Sequence, residues 1–246
     1  MRHIIWKNDK FLTALTTTKN AGNQAIHIGN NSQEAKQFRK ELAHDLQIEH
    51  TSFVYPHQTH SDTILKITKC DCGVGFDSFE SGVRADALYT FDANVTLAIF
   101  HADCVPVFIY VQKKHLVMVI HAGEEGTLKE ITFKAIKYII ENEDVQPSDI
   151  CAHIGPSRSL LNYPSNKQTI DRVVALGYEC GAKSTNGIFF LDLPLINYAQ
   201  LRKAGVSTKN ISMSNLCTFE RSDLFFSFNR DKKDEGRMLS LIRLNS

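Results

Sequence analysis

No stretch of this 246-residue chain reaches about 18 apolar residues without a charge, so no segment reads as a membrane span. The first twenty residues, MRHIIWKNDKFLTALTTTKN, lack the long apolar region of a secretory leader, and the expected address is the cytoplasm. Basic blocks are missing as well. The 28 Lys and Arg residues are scattered among 27 Asp and Glu, for a formal charge of +1, which leaves no electrostatic footprint for nucleic acid. Neither G-x-G-x-x-G nor G-x-x-x-x-G-K-[S/T] occurs, and strands and helices do not alternate regularly, which argues against a doubly wound dinucleotide fold. Of the six cysteines, Cys70 and Cys72 are separated by one residue, too tight for a zinc-finger or redox pair. All six are expected as reduced thiols in a cytoplasmic chain.

What is present is an ordinary globular composition, 43% hydrophobic and 22% charged, enough to bury a full core. No repeat or low-complexity linker divides it, so residues 1–246 are expected to form a single α/β domain of mixed sheets flanked by helices. "RHIIWKNDKFLTALTTT" reads as two short strands. "SQEAKQFRKELAHDLQI" reads as a helix capped by Ser32, with Ala35, Phe38, Leu42 and Leu46 at helical spacing. "VTLAIFHADCVPVFIYV" and "HLVMVIHAG" read as strands joined by a turn at Gln112-Lys113-Lys114. "TLKEITFKAIKYIIENE" reads as one amphipathic helix. "QTIDRVVALGY" and "LPLINYAQLRKAGV" are helical, and "NISMSNLCT", "LFFSFNRD" and "GRMLSLIRL" are expected as closing strands, with "KKDEG" a solvated charged loop.

The apolar strands are broken by polar residues at two places: His101-Ala102-Asp103-Cys104 in the first and His121 at the end of the second. Pro106 requires the chain to deviate near the first break. A hairpin connection would bring Cys104 towards His121. "HQTH", residues 57–60, adds a further imidazole after a break at Pro56. One thiolate and two imidazoles from His60, Cys104 and His121 are a zinc-type donor set, and three ligands leave a fourth position for water or substrate. Taken singly, each residue has an ordinary reading: a core cysteine, a histidine at a strand end, an aspartate capping a turn.

These motifs, in the order "HQTH", "ADALYT", "ADCVPVFIY", "VIHAG", "IGPS", "LDLPLINYAQLRKAGV" and "CTFERSDLFFSFNRDKKDEGRM", resemble the YfiH family, also called the laccase-domain or multicopper polyphenol oxidase-like family. The resemblance spans roughly His57 to Ile242. It implies a single α/β domain with a layout related to that of a toxin deamidase, and a site in which His60, Cys104 and His121 are both catalytic residues and ligands of one zinc ion. It also implies purine nucleoside phosphorolysis of adenosine, inosine and methylthioadenosine, with adenosine deamination alongside. Copper also takes such ligands in vitro. The expected partners are a purine nucleoside and phosphate, with no nucleic acid and no membrane, in a monomer or a homodimer.

The chain departs from the family where a cation is expected. "HAG" continues with Glu124-Glu125-Gly126 in place of Trp-Arg-Gly, and two carboxylates repel a phosphate dianion. The departure favours hydrolytic or deaminating chemistry over phosphorolysis; for phosphorolysis, Lys19, Arg39 or Arg230 would have to hold the phosphate. Arg158 is either a compensating cation or a solvated loop residue. Asp103 and Glu125 are candidate proton shuttles. Asp86 either orients a ligand histidine or caps a strand turn. Two other classes compete with the zinc enzyme: a metal-free hydrolase with Cys104 as nucleophile and His121 as base, and a non-enzymatic metal-binding paralogue.

Overall fold

Side-chain alternation within two sheets decides what each layer of the molecule meets. In the computed structural model, which describes residues 1–29, 31–231 and 236–245, a five-stranded sheet runs in the spatial order His3–Asn8, Leu12–Thr17, Met238–Leu244, Thr96–His101, Phe53–Val54. A six-stranded sheet runs Ile211–Met213, Cys151–Ile154, Val105–Val111, Leu116–Ala122, Ala87–Thr90, Ile64–Lys66. Both are mixed. Phe53–Val54 lies parallel to Thr96–His101, while the long central pairs are antiparallel. A three-stranded sheet is formed by Pro164–Ser165, Ile188–Leu191 and Ala182–Thr185.

Leu97, Ile99, Ile242 and Leu244 of the first sheet meet Leu88, Phe108, Val117 and Val119 of the second, so the two sheets pack face to face. The intervening residues point the other way. Ala98, Phe100, Leu239 and Leu241 pack with Leu42 and Ala43 of the helix Ser32–Asp45. On the far side, Val107, Ile109, Met118 and Ile120 are covered by the helices Ile131–Asn142 and Leu193–Lys203 through Ile136, Ile139, Ile196 and Leu201. The layers are therefore helix, sheet, sheet, helices, the mixed α/β architecture expected. Central strands covered on both faces need apolar residues on both. That is why they read as unbroken apolar runs, each fully buried Leu or Ile contributing roughly 1.5–3 kcal/mol.

Several local expectations are corrected. Asn31, not Ser32, caps the first helix, its side chain accepting from the Glu34 N–H at 3.1 Å. The segment after His121 forms two helices, Glu124–Leu128 and Ile131–Asn142, because the chain turns at Glu130, whose φ is 59°. "LFFSFNRD" ends in a short helix, Phe228–Asp231, rather than a strand; Phe225 is buried against Ala102 and Met238, and the Ser227 N–H is tied to Asp231 at 2.8 Å. Lys232 to Glu235, most of the expected charged loop, lie outside the described residues. "VTLAIFHADCVPVFIYV" is two strands in different sheets, Thr96–His101 and Val105–Val111, and the functional residues gather where the chain crosses between them.

Candidate metal centre

Cys104 sits in that crossover. The corner is made at Asp103, whose φ of 89° is in the left-handed region. Its carboxylate holds the corner by accepting from the Thr218 hydroxyl at 2.7 Å, the Asn229 N–H at 2.9 Å and the Asn229 amide at 2.8 Å. These bonds make Asp103 the residue that shapes the backbone presenting Cys104. Pro106 pairs opposite His121 at the start of its strand. The neighbouring strand Cys151–Ile154 registers only from Val107 onward, so the missing proline N–H disrupts no ladder.

His60 approaches from the loop between Phe53–Val54 and Ile64–Lys66, with φ at 57°. That loop is wrapped around one buried carboxylate. Asp86 accepts from the N–H groups of Thr59, His60 and Ser61 at 3.2, 3.2 and 2.7 Å and from the Ser61 hydroxyl at 2.7 Å. Asp86 also accepts from His121 Nδ1 at 2.8 Å, which assigns the proton to Nδ1 and leaves Nε2 to face the cavity. Burial opposes the charge on Asp86, but His121 and Ser61 hold its carboxyl down at about 2.

The ligand atoms of His60, Cys104 and His121 all lie within 4.8 Å of one another, and Cys104 Sγ is 3.9 Å from His60 Nε2. A tetrahedral zinc with ordinary bond lengths separates sulfur and nitrogen by about 3.6 Å, so the donor set fits such an ion after small movements. Gly123 makes the approach possible. A Cβ there would stand 2.6 Å from His60 Cδ2 and 3.0 Å from Cys104 Sγ. Burial pushes the Cys104 thiol up, but the neighbouring His121 and His60 outweigh it and bring it down to about 6. His121 shows the converse: burial opposes its charge, and Cys104 and Asp86 raise it to about 9. The two shifts run in the directions that favour a thiolate beside an imidazolium when no metal is bound. Among the described residues no other set of three His, Cys, Asp or Glu converges in this way.

The three side chains open into a cavity of about 570 Å³ whose walls include the aromatic rings of His27, Phe79, Phe100, Tyr163 and Phe228. Gln58 braces one wall, pairing its amide with the backbone N–H and carbonyl of Phe100 at 2.7 and 2.8 Å. The cations expected to hold phosphate do not line it. Lys19 Nζ binds the Ser222 carbonyl at the surface. Arg39 is 1% exposed and donates to the carbonyls of Gln24, Gly75 and Phe76. Arg230 binds the carbonyls of Thr218, Phe219 and Phe225 and the Asp231 carboxylate. All three serve as staples between loops. Among the described residues, the cations in the cavity wall are Arg158 and Arg237. Glu124 and Glu125 also line it, the first accepting from the Tyr163 hydroxyl at 3.0 Å, the second paired with Arg172 at 3.3 Å. The wall residues His27, Phe79 and Tyr163 carried no local pattern in the sequence.

Fold and site together define a mixed α/β protein with a Cys-His-His centre suited to a metal ion at a crossover between sheets. The chain belongs to the family described as multi-copper polyphenol oxidoreductase laccase, whose model matches residues 14–245. A curated relative, the purine nucleoside phosphorylase YlmD of Bacillus subtilis, is 36% identical and aligns over 96% of this chain and 90% of its own length. A Staphylococcus aureus protein with the same enzyme name is 35% identical over 91% of this chain and 85% of its own. Among solved structures, YlmD from Geobacillus stearothermophilus superposes with a TM-score of 0.93 at 30% identity, covering 99% of this chain and 100% of that one. YfiH of Bacillus licheniformis gives 0.91 at 34%, covering 95% and 92%.

Proposed function

We propose that this chain is a metal-dependent purine nucleoside enzyme in which His60, Cys104 and His121 hold one zinc ion. The observation that carries the reading is the convergence of one sulfur and two imidazoles, within 4.8 Å, in the wall of an aromatic-lined cavity. The names of the relatives support the substrate class. The donor set favours zinc over a laccase-type copper assembly: no methionine lines the cavity, and among the described residues no second ligand cluster offers itself for oxygen reduction. When bound, the ion supplies Lewis-acid polarisation of an oxygen ligand at its open position.

The chain's own residues do the rest. Asp86 keeps the proton on His121 Nδ1, and the aromatic walls offer faces on which a purine ring stacks. In phosphorolysis, the C1′–N9 bond breaks with its electron pair going to the base, which takes up a proton, while a phosphate oxygen forms the new bond to C1′. In deamination, water adds at C6 and ammonia leaves. Glu124, joined to the Tyr163 hydroxyl, is the carboxylate best placed to pass a proton in either case. A second reading, a metal-free Cys-His hydrolase with Cys104 as nucleophile, draws on the lowered Cys104 thiol.

Elemental analysis combined with a product screen separates them. Adenosine, inosine and methylthioadenosine are supplied with and without phosphate to the wild type and Cys104→Ala. One zinc per chain that disappears in the variant, together with turnover of at least one nucleoside, is expected. Turnover by metal-free protein selects the hydrolase. Bound zinc without turnover of any nucleoside refutes the enzymatic reading.

A further inference from the structure

We propose that Arg158, stacked on Tyr163, forms an oxyanion subsite in the wall of the Cys-His-His cavity, and that the group it takes is a phosphate. The inference rests on the nucleoside reading above and supplies the cation which that reading lacks. Lys19, Arg39 and Arg230 are committed to backbone carbonyls elsewhere, and positions 124 and 125 carry carboxylates.

Arg158 is only 6% exposed although it lies in a loop, between the strands Cys151–Ile154 and Pro164–Ser165. Its backbone N–H donates to the Asp103 carbonyl at 3.0 Å, which anchors it to the corner that presents Cys104. Its guanidinium carbon lies 3.4 Å from the centroid of the Tyr163 ring, so the ring covers one face of the cation and the planar fork is held in place. Its Nε is buried without a hydrogen-bond partner. Among the described residues, no carboxylate forms an ion pair with it. A cation buried to this degree is costly unless an anion meets it. Here it borders a cavity, so the anion can come from solution.

The nearby carboxylates do not fill that role. Glu124 is turned to the Tyr163 hydroxyl and Glu125 to Arg172. Arg237, 5.4 Å from the centroid of Phe228, adds a second positive charge to the same wall. A rigid guanidinium fork matches the geometry of phosphate oxygens, which a point charge does not. The chemistry fits two sources: free orthophosphate, the acceptor of phosphorolysis, or the 5′-phosphate of a nucleotide.

Orthophosphate, adenosine and adenosine 5′-monophosphate are titrated by calorimetry at constant ionic strength into the full-length holoprotein, as wild type, Arg158→Gln and Arg158→Lys. Orthophosphate or the monophosphate is expected to bind the wild type and to weaken roughly tenfold or more in Arg158→Gln, the worth of a charge-assisted bond, with Arg158→Lys between the two. An Arg158-dependent preference for the monophosphate over adenosine assigns the subsite to a nucleotide phosphate. Arg158-dependent orthophosphate binding without that preference assigns it to the free ion. Equal affinities in wild type and Arg158→Gln, or no binding of either phosphate by the wild type, overturn the proposal. If thermal melts show Arg158→Gln unfolded, Arg158→Lys decides: several-fold weakening upholds the fork, and unchanged affinity overturns it. Binding is read without turnover. A wild type that binds phosphate through Arg158 but converts no nucleoside refutes the proposed function and leaves the subsite standing. Conversion of nucleosides with Arg158-independent phosphate binding refutes the subsite alone.

Discussion

Asp86 and His121 are joined twice: the carboxylate accepts from the ring Nδ1 at 2.8 Å, and the Asp86 carbonyl accepts from the His121 backbone N–H at 2.7 Å. The same carboxylate gathers the N–H groups of Thr59, His60 and Ser61. One fully buried side chain therefore positions two of the three candidate ligands, one through its ring and the other through its backbone. Asp86→Asn removes the charge that fixes the His121 tautomer and sets an amide N–H among donors. Metal affinity is expected to fall roughly 10–100-fold, the usual cost of losing a carboxylate behind a ligand histidine. Competition with a chelator measures it. Unchanged affinity in a folded variant would remove Asp86 from the account of the site.

Gly123 offers a sharper steric test. Its φ of −73° and ψ of −178° suit any residue, so alanine there strains no backbone. The added methyl would instead press on His60 Cδ2 at 2.6 Å and Cys104 Sγ at 3.0 Å. Gly123→Ala is expected to leave secondary structure in place while lowering metal affinity by about tenfold or more, because sites tolerate displacements of only about 0.5 Å. Circular dichroism together with metal titration gives both readouts. Full metal binding in the alanine variant would mean that the two ligands have room to move apart.

The Cys104 thiol is expected to titrate near 6 in the metal-free protein, well below its ordinary value of 9.0, because His121 and His60 outweigh the effect of burial. The sign follows from the partner's charge: imidazolium favours thiolate, so the reactive form accumulates as pH rises through about 6. Alkylation followed residue by residue with mass spectrometry separates Cys104 from the exposed Cys70, Cys151 and Cys180. In His121→Gln the largest favourable partner is gone and burial remains, so the inflection moves upward. An inflection at the ordinary thiol value in the wild type would contradict the ion-pair description.

The centre was more legible than its surroundings, for a physical reason. Strands buried on both faces tolerate only apolar side chains, so His101 to Cys104 and His121 stand out as interruptions that need a cause. His60 joined them as the imidazole that completes a zinc-type donor set, although no short spacing links it to the other two, and the family motifs point to the same three residues. The crossing between sheets at residues 102–104 was not legible, because two strands in one sheet and two strands in separate sheets present the same apolar run. The sheet formed by Ala182–Thr185 and Ile188–Leu191 escaped because Lys183, Ser184 and Thr185 are exposed and leave no alternation to read. Arg158 stood open between a compensating cation and a solvated loop residue, because nothing local announces that Tyr163, five positions on, packs against its guanidinium.

Arg39 shows how a charge read as a ligand-binding group becomes an internal strut, and the two roles make opposite forecasts. Its guanidinium lies 4.1 Å from the centroid of Tyr55 and 4.9 Å from that of Phe100, and it donates to the carbonyls of Gln24, Gly75 and Phe76. Burial lowers it to about 10, so it stays charged at neutral pH. Arg39→Met keeps much of the apolar packing against the two rings but leaves three carbonyls without a donor. The expected cost is roughly 2–4 kcal/mol of stability. For a chain of this length that lowers the melting temperature by roughly 5–15 °C. A residue holding phosphate would behave the other way, leaving the melt almost unchanged and weakening phosphate binding. Thermal denaturation of Arg39→Met, paired with an orthophosphate titration of its folded fraction, separates the two. A native-like melt with lost phosphate binding would restore Arg39 to the site, whereas a large drop with phosphate affinity retained fits the strut and leaves Arg158 as the cation that faces the ligand.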